Sequence, residues 1–358
     1  MKENNKNGLL SKAECTALRG IAIMAIMLHN YCHWLSGSVK ENEYTFHIGN
    51  SEGIWNAVCH ADGLLPMQLL SYFGHYGVPV FLFLSGFGLV LKYERENEPR
   101  HKAWPFLKFH YQKLLRMMIP GFVAFVFIDA ITPGAWHFRA ENVIALLLMY
   151  VNVLPHPNNI IWPGPYWFFG LMMQLYIIYR LLIYRRHWGW TVGLIAICWI
   201  AQAVCDPTGD TLNRLRYNCI GGMMPFGIGV LAGRYLSHAS CHSLPRPCWA
   251  VACVILSALL TLMCFNYQTW YWVPLLIIAA SVCLVKSFPS FLMDIATWLG
   301  KISAAMFVIH PVLRKVFIPF SRHGNVYDGI LLYVITSIAM AWMFTWIISR
   351  IPSPKLKG

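Results

Sequence analysis

Long apolar runs alternate with short polar turns along almost the whole chain. The runs begin near Ala17, Tyr72, Met117, Pro165, Gly189, Cys219, Trp249, Trp272, Gly300 and Gly329. A helix needs roughly 17–25 apolar residues to cross a bilayer, so the pattern predicts about ten transmembrane α-helices. An eleventh stretch, Glu141 to Leu154, is short and is bracketed by Pro133-Gly134 on one side and by Pro155 and Pro157 on the other. Its length suits a re-entrant or interfacial segment. Barrel strands alternate apolar and polar residues, and these runs do not. The predicted fold class is all-α: a polytopic transmembrane helical bundle of about ten spans plus that one short segment. With no internal repeat or soluble domain evident, residues 1–358 read as a single membrane domain with polar tails at 1–16 and 351–358.

The charges between the runs set the expected orientation. Cytoplasmic loops are enriched in Lys and Arg. Lys2, Lys6 and Lys12 place the N-terminus inside, whereas Glu41, Glu43, Glu52 and Asp62 against Lys40 place the next loop outside. Arg95, Arg100, Lys102, Lys108 and Lys113 mark an inner segment, as do Arg180, Arg185 and Arg186. An even number of crossings must join those two inner points, so one of three apolar segments cannot cross, and Glu141–Leu154 is the choice. Arg234, Arg246, Lys286 and Lys301 then fall inside, the turn FNYQTWYW outside, and Lys355 and Lys357 inside. Both termini are expected in the cytoplasm of a cell whose inner membrane holds the protein. Arg314, Lys315 and Arg322 fall toward the outer side and break the rule.

Composition narrows the class further. Of the 358 residues, 57% are hydrophobic and only 12% charged, against about 25% charged in soluble domains. The net charge of +13 is dispersed between apolar runs, which argues for membrane orientation and against a nucleic-acid partner. The 11 cysteines show no CxxC pair and no zinc-type spacing. Nothing supports pairing of Cys59 with Cys205, both in predicted outer loops. The first apolar run is too long for a cleaved signal peptide and contains Arg19 and His29, so it reads as a retained span.

Candidate chemistry follows from what is rare in hydrocarbon. His29 lies in the first run and His310 in the ninth, and an ionisable group there marks a functional site by default. Arg19 opens the first run and Lys301 the ninth. His29 is about 15 Å beyond Arg19 on a helix, and His33 is one turn further on the same face. That pair could bind metal, but no acidic or cysteine ligand stands nearby in the sequence, so no metal is expected. Ser85, among Gly77, Gly86 and Gly88, reads first as small-residue packing and second as a nucleophile or substrate contact. Lys108, Lys113 and Arg116 lie on an amphipathic stretch at the inner boundary. They either snorkel toward headgroups or recognise an anionic cytoplasmic ligand.

Several motifs together resemble the acyltransferase-3 family of integral-membrane acyltransferases. They are LRGIAI…LH in the first run, GVPVFLFLSGF in the second, and Lys113-x-x-Arg116…Pro120. PYWFFGLMMQLY (Pro165 to Tyr176) and ISAAMFVIHP (Ile302 to Pro311) complete the set. The matches span nearly the whole chain in the right order. The resemblance implies a ten-span enzyme that moves an acyl group, commonly acetyl, onto a hydroxyl of a cell-surface glycan or similar acceptor. The family's first-span Arg and His map onto Arg19 and His29, its basic pair onto Lys113 and Arg116, and its late His onto His310. The chain departs from the pattern in three places. The Arg-to-His interval is one residue shorter, Lys113 replaces an Arg, and Met172 and Met173 stand where many relatives carry a Glu pair before the Gln, here Gln174.

The expected reaction joins these readings. Acetyl-CoA, or another acyl-CoA, is cytoplasmic and polyanionic, so Arg19, Lys108, Lys113 and Arg116 would hold it. His29 or His310 would act as general base, since a neutral imidazole takes a hydroxyl proton near neutral pH. Trp34, Tyr166, Trp167, Gln174, His33 and Ser85 are the candidates for contacting the acceptor, a glycan or lipid-linked sugar. The alternative is a proton-coupled transporter or flippase with the histidines as a relay. Carriers often show repeated halves, and no repeat is evident here.

Overall fold

The computed structural model describes residues 8–95, 98–237 and 244–356, and among these no strand occurs. Lys2, Lys6 and Lys357, three of the charges behind the expected orientation, lie outside the described residues. All ten predicted runs are helical. We number them α1 (Lys12–Cys32), α2 (Leu65–Tyr93), α3 (Ala103–Ile131), α4 (Gly164–Ile183), α5 (Trp188–Ala203), α6 (Cys219–Tyr235), α7 (Arg246–Met263), α8 (Val273–Ser287), α9 (Ser290–His323) and α10 (Val326–Arg350). Seven of them (α1, α2, α3, α4, α7, α9 and α10) are long and apolar enough to cross a membrane. Helices α5, α6 and α8 are shorter, at 16, 17 and 15 residues.

Three helices start seven or more residues before the apolar runs they carry. Helix α2 begins at Leu65, with a 3-10 turn over Gly74–Tyr76 inside it. Helix α3 begins at Ala103 and runs unbroken through Pro120, and α9 begins at Ser290. Hydropathy senses the hydrocarbon boundary, whereas a helix continues beyond it wherever long polar side chains can reach water. The short stretch forms a helix at Ala140–Leu147 and a 3-10 turn at Val151–Val153. Eight helical residues rise about 12 Å, too little to cross. Its Asn152 donates to the Tyr217 carbonyl at 3.1 Å, which ties the segment to the bundle.

The packing that positions the site is between α1 and α9, which lie side by side. Small residues let membrane helices approach closely. Here a Cβ on Gly20 would meet the Gly300 nitrogen at 2.8 Å, and one on Gly300 would meet the Thr16 carbonyl carbon at 2.7 Å. His29 and His310 lie at corresponding depth beyond that contact. The core between α1, α9 and α10 is filled by Met27, Tyr31, Met306, Ile309 and Tyr333, with the Tyr333 hydroxyl donating to the Met27 carbonyl at 3.1 Å.

Candidate active site

A capping box starts α1: Ser11 accepts from the Glu14 amide at 3.2 Å, and Glu14 accepts from the Ser11 amide at 2.7 Å. The helix then carries His29 to its last turn, 4% exposed. The ring Nδ1 lies 2.7 Å from the Ser71 carbonyl of α2. A carbonyl only accepts, so Nδ1 holds the hydrogen and Nε2 presents a lone pair. Gly74 makes this approach possible, because a Cβ there would sit 2.7 Å from the His29 Cβ.

The chain after α1 folds back over that lone pair. Buried Asn42 anchors it, accepting from the His47 amide at 3.0 Å and donating to Ser51 Oγ at 3.1 Å. Glu41 and Glu43, on either side of Asn42, both face His29. Their carboxylate oxygens lie 3.8 and 3.9 Å from His29 Nε2, and Glu41 also lies 3.5 Å from His33 Nδ1. Ser71 fastens the loop from the other side, donating its hydroxyl to the Val39 carbonyl at 2.9 Å.

The two carboxyls sit in unlike environments. Burial would raise Glu41, but the hydrogen bond from His33 and the imidazoles of His29, His33 and His75 outweigh it and hold this group well below the ordinary carboxylate range. Burial, and then the charge on Glu41, push Glu43 up to about 8. Glu41 is therefore the ionised member at neutral pH and Glu43 the protonated one, a divergence typical of paired acid–base groups.

A stability prediction follows, with its sign set by linkage. Glu43 rises from 4.5 to about 8 on folding, so the folded state holds the extra proton across that window. Stability drawn from this group is complete below the lower value and is lost as pH rises through the upper one. Melting curves should shift to lower temperature between those pH values, and Glu43→Gln should flatten the decline. A wild-type melting temperature indifferent to pH in that window would contradict the assignment.

Around this centre is a cavity of about 230 Å³. Its walls include His29, His33, Glu41, Glu43, His75 and Arg314. His75 is 4% exposed with its ring 5.5 Å from that of His29, and neither of its nitrogens has a hydrogen-bond partner among the described residues. Aromatic rings close the rest. Tyr44 stacks on Tyr217 at 3.8 Å, and Trp167 meets both edge-on at 5.7 and 5.0 Å. Trp34 and Trp162 form a second aromatic side at 5.7 Å from one another.

Of the residues singled out from the sequence, the structure brings His29, His33, Trp34 and Trp167 together in this cavity. Tyr166 lies outside the lining, fully buried, and donates to the Val308 carbonyl of α9 at 2.8 Å. Gln174 bridges α4 to the start of α6, bonding Asn218 and the Cys219 amide at 2.9 Å each. Ser85 donates to the Phe81 carbonyl of its own helix at 2.8 Å. His310 is fully buried on α9 behind the lining, on the helix face that carries Phe307 and Arg314 into it. Its Nδ1 meets the Met306 carbonyl at 3.2 Å, while Nε2 has no partner among the described residues.

The basic residues divide at the other end of the bundle. Arg19, Lys92, Lys108 and Lys113 are exposed. Arg116 instead donates to the Ile348 and Ile351 carbonyls at 2.6 and 2.9 Å, closing the C-terminal end of α10.

Four residues of the site escaped the sequence reading as site residues: His75 altogether, Glu41 and Glu43 except as loop charges, and Arg314 except as an exception to the charge rule. A signal existed for the carboxylates. They stand two residues apart in a chain with only 15 acidic residues, yet they served only to orient a loop. The premise that no acidic ligand stands near His29 and His33 also fails. Ligand atoms of His29, His33 and Glu41 lie within 4.8 Å of one another, an arrangement able to hold a metal ion. Loop closure, not sequence adjacency, brings Glu41 there.

The arrangement can accept a proton at His29 Nε2 and support the resulting imidazolium with an ionised carboxylate. The profile of the acyltransferase domain matches residues 13–349, nearly the whole chain. No curated protein and no solved structure matches it. The order of motifs, the helical membrane architecture and that match agree: the chain belongs to the acyltransferase-3 family and is a multi-pass membrane acyltransferase.

Proposed function

We propose that this enzyme transfers an acyl group, acetyl foremost, from cytoplasmic acyl-CoA to a hydroxyl of a cell-surface glycan or lipid-linked sugar. The observation that carries this is His29, whose Nδ1 is held by the Ser71 carbonyl while Nε2 faces the cavity beside Glu41. The acceptor hydroxyl gives its proton to Nε2 as its oxygen bonds to the acyl carbon. The thioester C–S bond then breaks, and the proton on His29 neutralises the departing thiolate. Glu41 stabilises the imidazolium between those events.

In this reading the cavity lies toward the outer face and the termini toward the cytoplasm. Arg19, Lys92 and Lys113 hold the phosphates of the donor, with Lys108 at the rim. Arg116 positions α10 against α3. His310 supports the α1–α9 face rather than meeting the acceptor. Membrane vesicles supplied with labelled acetyl-CoA should incorporate label into glycan, and surface glycans from cells carrying the chain should gain one acetyl mass per modified unit. Equal label and equal glycan mass with and without the protein would refute the proposal.

A further inference from the structure

Arg314 lines the cavity, yet proton transfer at His29 leaves it without a part. It is 5% exposed, and among the described residues no carboxylate lies within ion-pair distance of it. The next residue, Lys315, pairs with Asp129. The hydrogen bonds of Arg314 go to Asn30 alone, the closer at 3.2 Å to its carbonyl. A guanidinium has five N–H donors, so most of them stay available to whatever fills the cavity. Its central carbon lies 5.5 Å from the Trp34 ring and 5.1 Å from the Trp162 ring, and the two indoles hold it in place.

Burying an unpaired guanidinium costs several kcal/mol by typical estimates. An apolar residue would suit α9 better if Arg314 served packing alone. Arg322, exposed near the end of α9, donates to the Trp34 carbonyl at 2.8 Å. The three cations that break the charge rule therefore divide: Lys315 is neutralised by Asp129, Arg322 is exposed and bonds the Trp34 backbone, and Arg314 is the one that lines the cavity.

We propose that Arg314 seats a fixed negative charge on the acceptor, a carboxylate or a phosphate, while the hydroxyl to be acylated reaches His29. This rests on the acyl-transfer reading above. Both anions match the planar fork of a guanidinium. Trp34 and Trp162 supply flat apolar faces for the ring that bears the charge. Ionised Glu41 repels the same charge from the His29 side, so an acidic acceptor enters in one orientation.

The test uses purified full-length protein in lipid nanodiscs with labelled acetyl-CoA and two matched acceptor pairs. One pair is a glucuronate oligosaccharide and its carboxyl-reduced form; the other is a sugar phosphate and the same sugar without phosphate. Wild type should prefer the charged member of at least one pair, and which pair it is identifies the anion. Arg314→Gln should lower kcat/KM for that acceptor by about 10–100-fold, chiefly through KM, and leave the neutral member unchanged. Arg314→Lys should recover part of the loss. If Arg314→Gln melts at lower temperature than wild type, Arg314→Lys with unchanged melting carries the same comparison. No charge preference in wild type, or equal loss for charged and neutral acceptors in a stably folded variant, would overturn the assignment to Arg314. Failure of wild type to acetylate any of the four acceptors overturns the acyl-transfer reading itself, a result distinct from acetylation without charge preference.

Discussion

Replacing His29 by glutamine is expected to slow acyl transfer about a thousandfold, or about 4 kcal/mol in the barrier, the middle of the range for loss of a positioned general base. Glutamine can keep a hydrogen bond to the Ser71 carbonyl, which His29 now meets at 2.7 Å. It cannot take a proton at the Nε2 position. The loss should therefore appear in kcat, with donor KM little changed, because the residues proposed to hold acyl-CoA lie at the far end of the bundle. Steady-state transfer from labelled acetyl-CoA by purified variant and wild type reads both quantities. A variant with wild-type kcat would remove His29 from the reaction and leave His310 the remaining buried imidazole on the facing helix.

The second large effect belongs to Glu41. Glu41→Gln keeps the shape but removes the charge that lies 3.8 Å from His29 Nε2 and 3.5 Å from His33 Nδ1. The developing imidazolium then loses its counter-charge in a site sheltered from water. A fall in kcat of about a hundredfold is expected, by analogy with carboxylates that support a catalytic imidazole. Glu43→Gln is the internal control. Glu43 is pushed up to about 8 by burial and by Glu41, so at neutral pH glutamine resembles the protonated acid already present. That variant should keep most of its activity at pH 7. If the two substitutions prove equally damaging, the division into one ionised and one protonated carboxyl is wrong.

How far the site was legible depended on whether each residue acts through its own helix or through a distant contact. His29 stood out because an imidazole in an apolar run is costly wherever that run packs. His33, one turn beyond it, came along by helical spacing, and Trp34 as an aromatic on the expected acceptor path. Tyr166, Gln174 and Ser85 are as polar and as well placed in sequence, yet each makes a structural bond: Tyr166 and Gln174 tie helices together through the Val308 carbonyl and Asn218, and Ser85 bonds the Phe81 carbonyl of its own helix. Composition cannot tell a polar group that faces a cavity from one that satisfies a backbone carbonyl. Arg116 shows the same limit. Its neighbour Lys113 is exposed, whereas Arg116 is bound to the end of α10.

The sequence by itself determined the membrane class, the ten helices, the non-crossing segment and the helix that bears the proposed base. Those features obey a local rule, because in lipid each stretch of backbone must satisfy its own hydrogen bonds. Only the tertiary structure decided that Glu41 and Glu43 turn back onto His29, that His75 and Arg314 share their cavity, and that His310 stands behind it. These meetings depend on loop closure around Asn42 and on the close approach of α1 to α9. Both arise from contacts between residues far apart in the chain, which hydropathy and spacing do not encode.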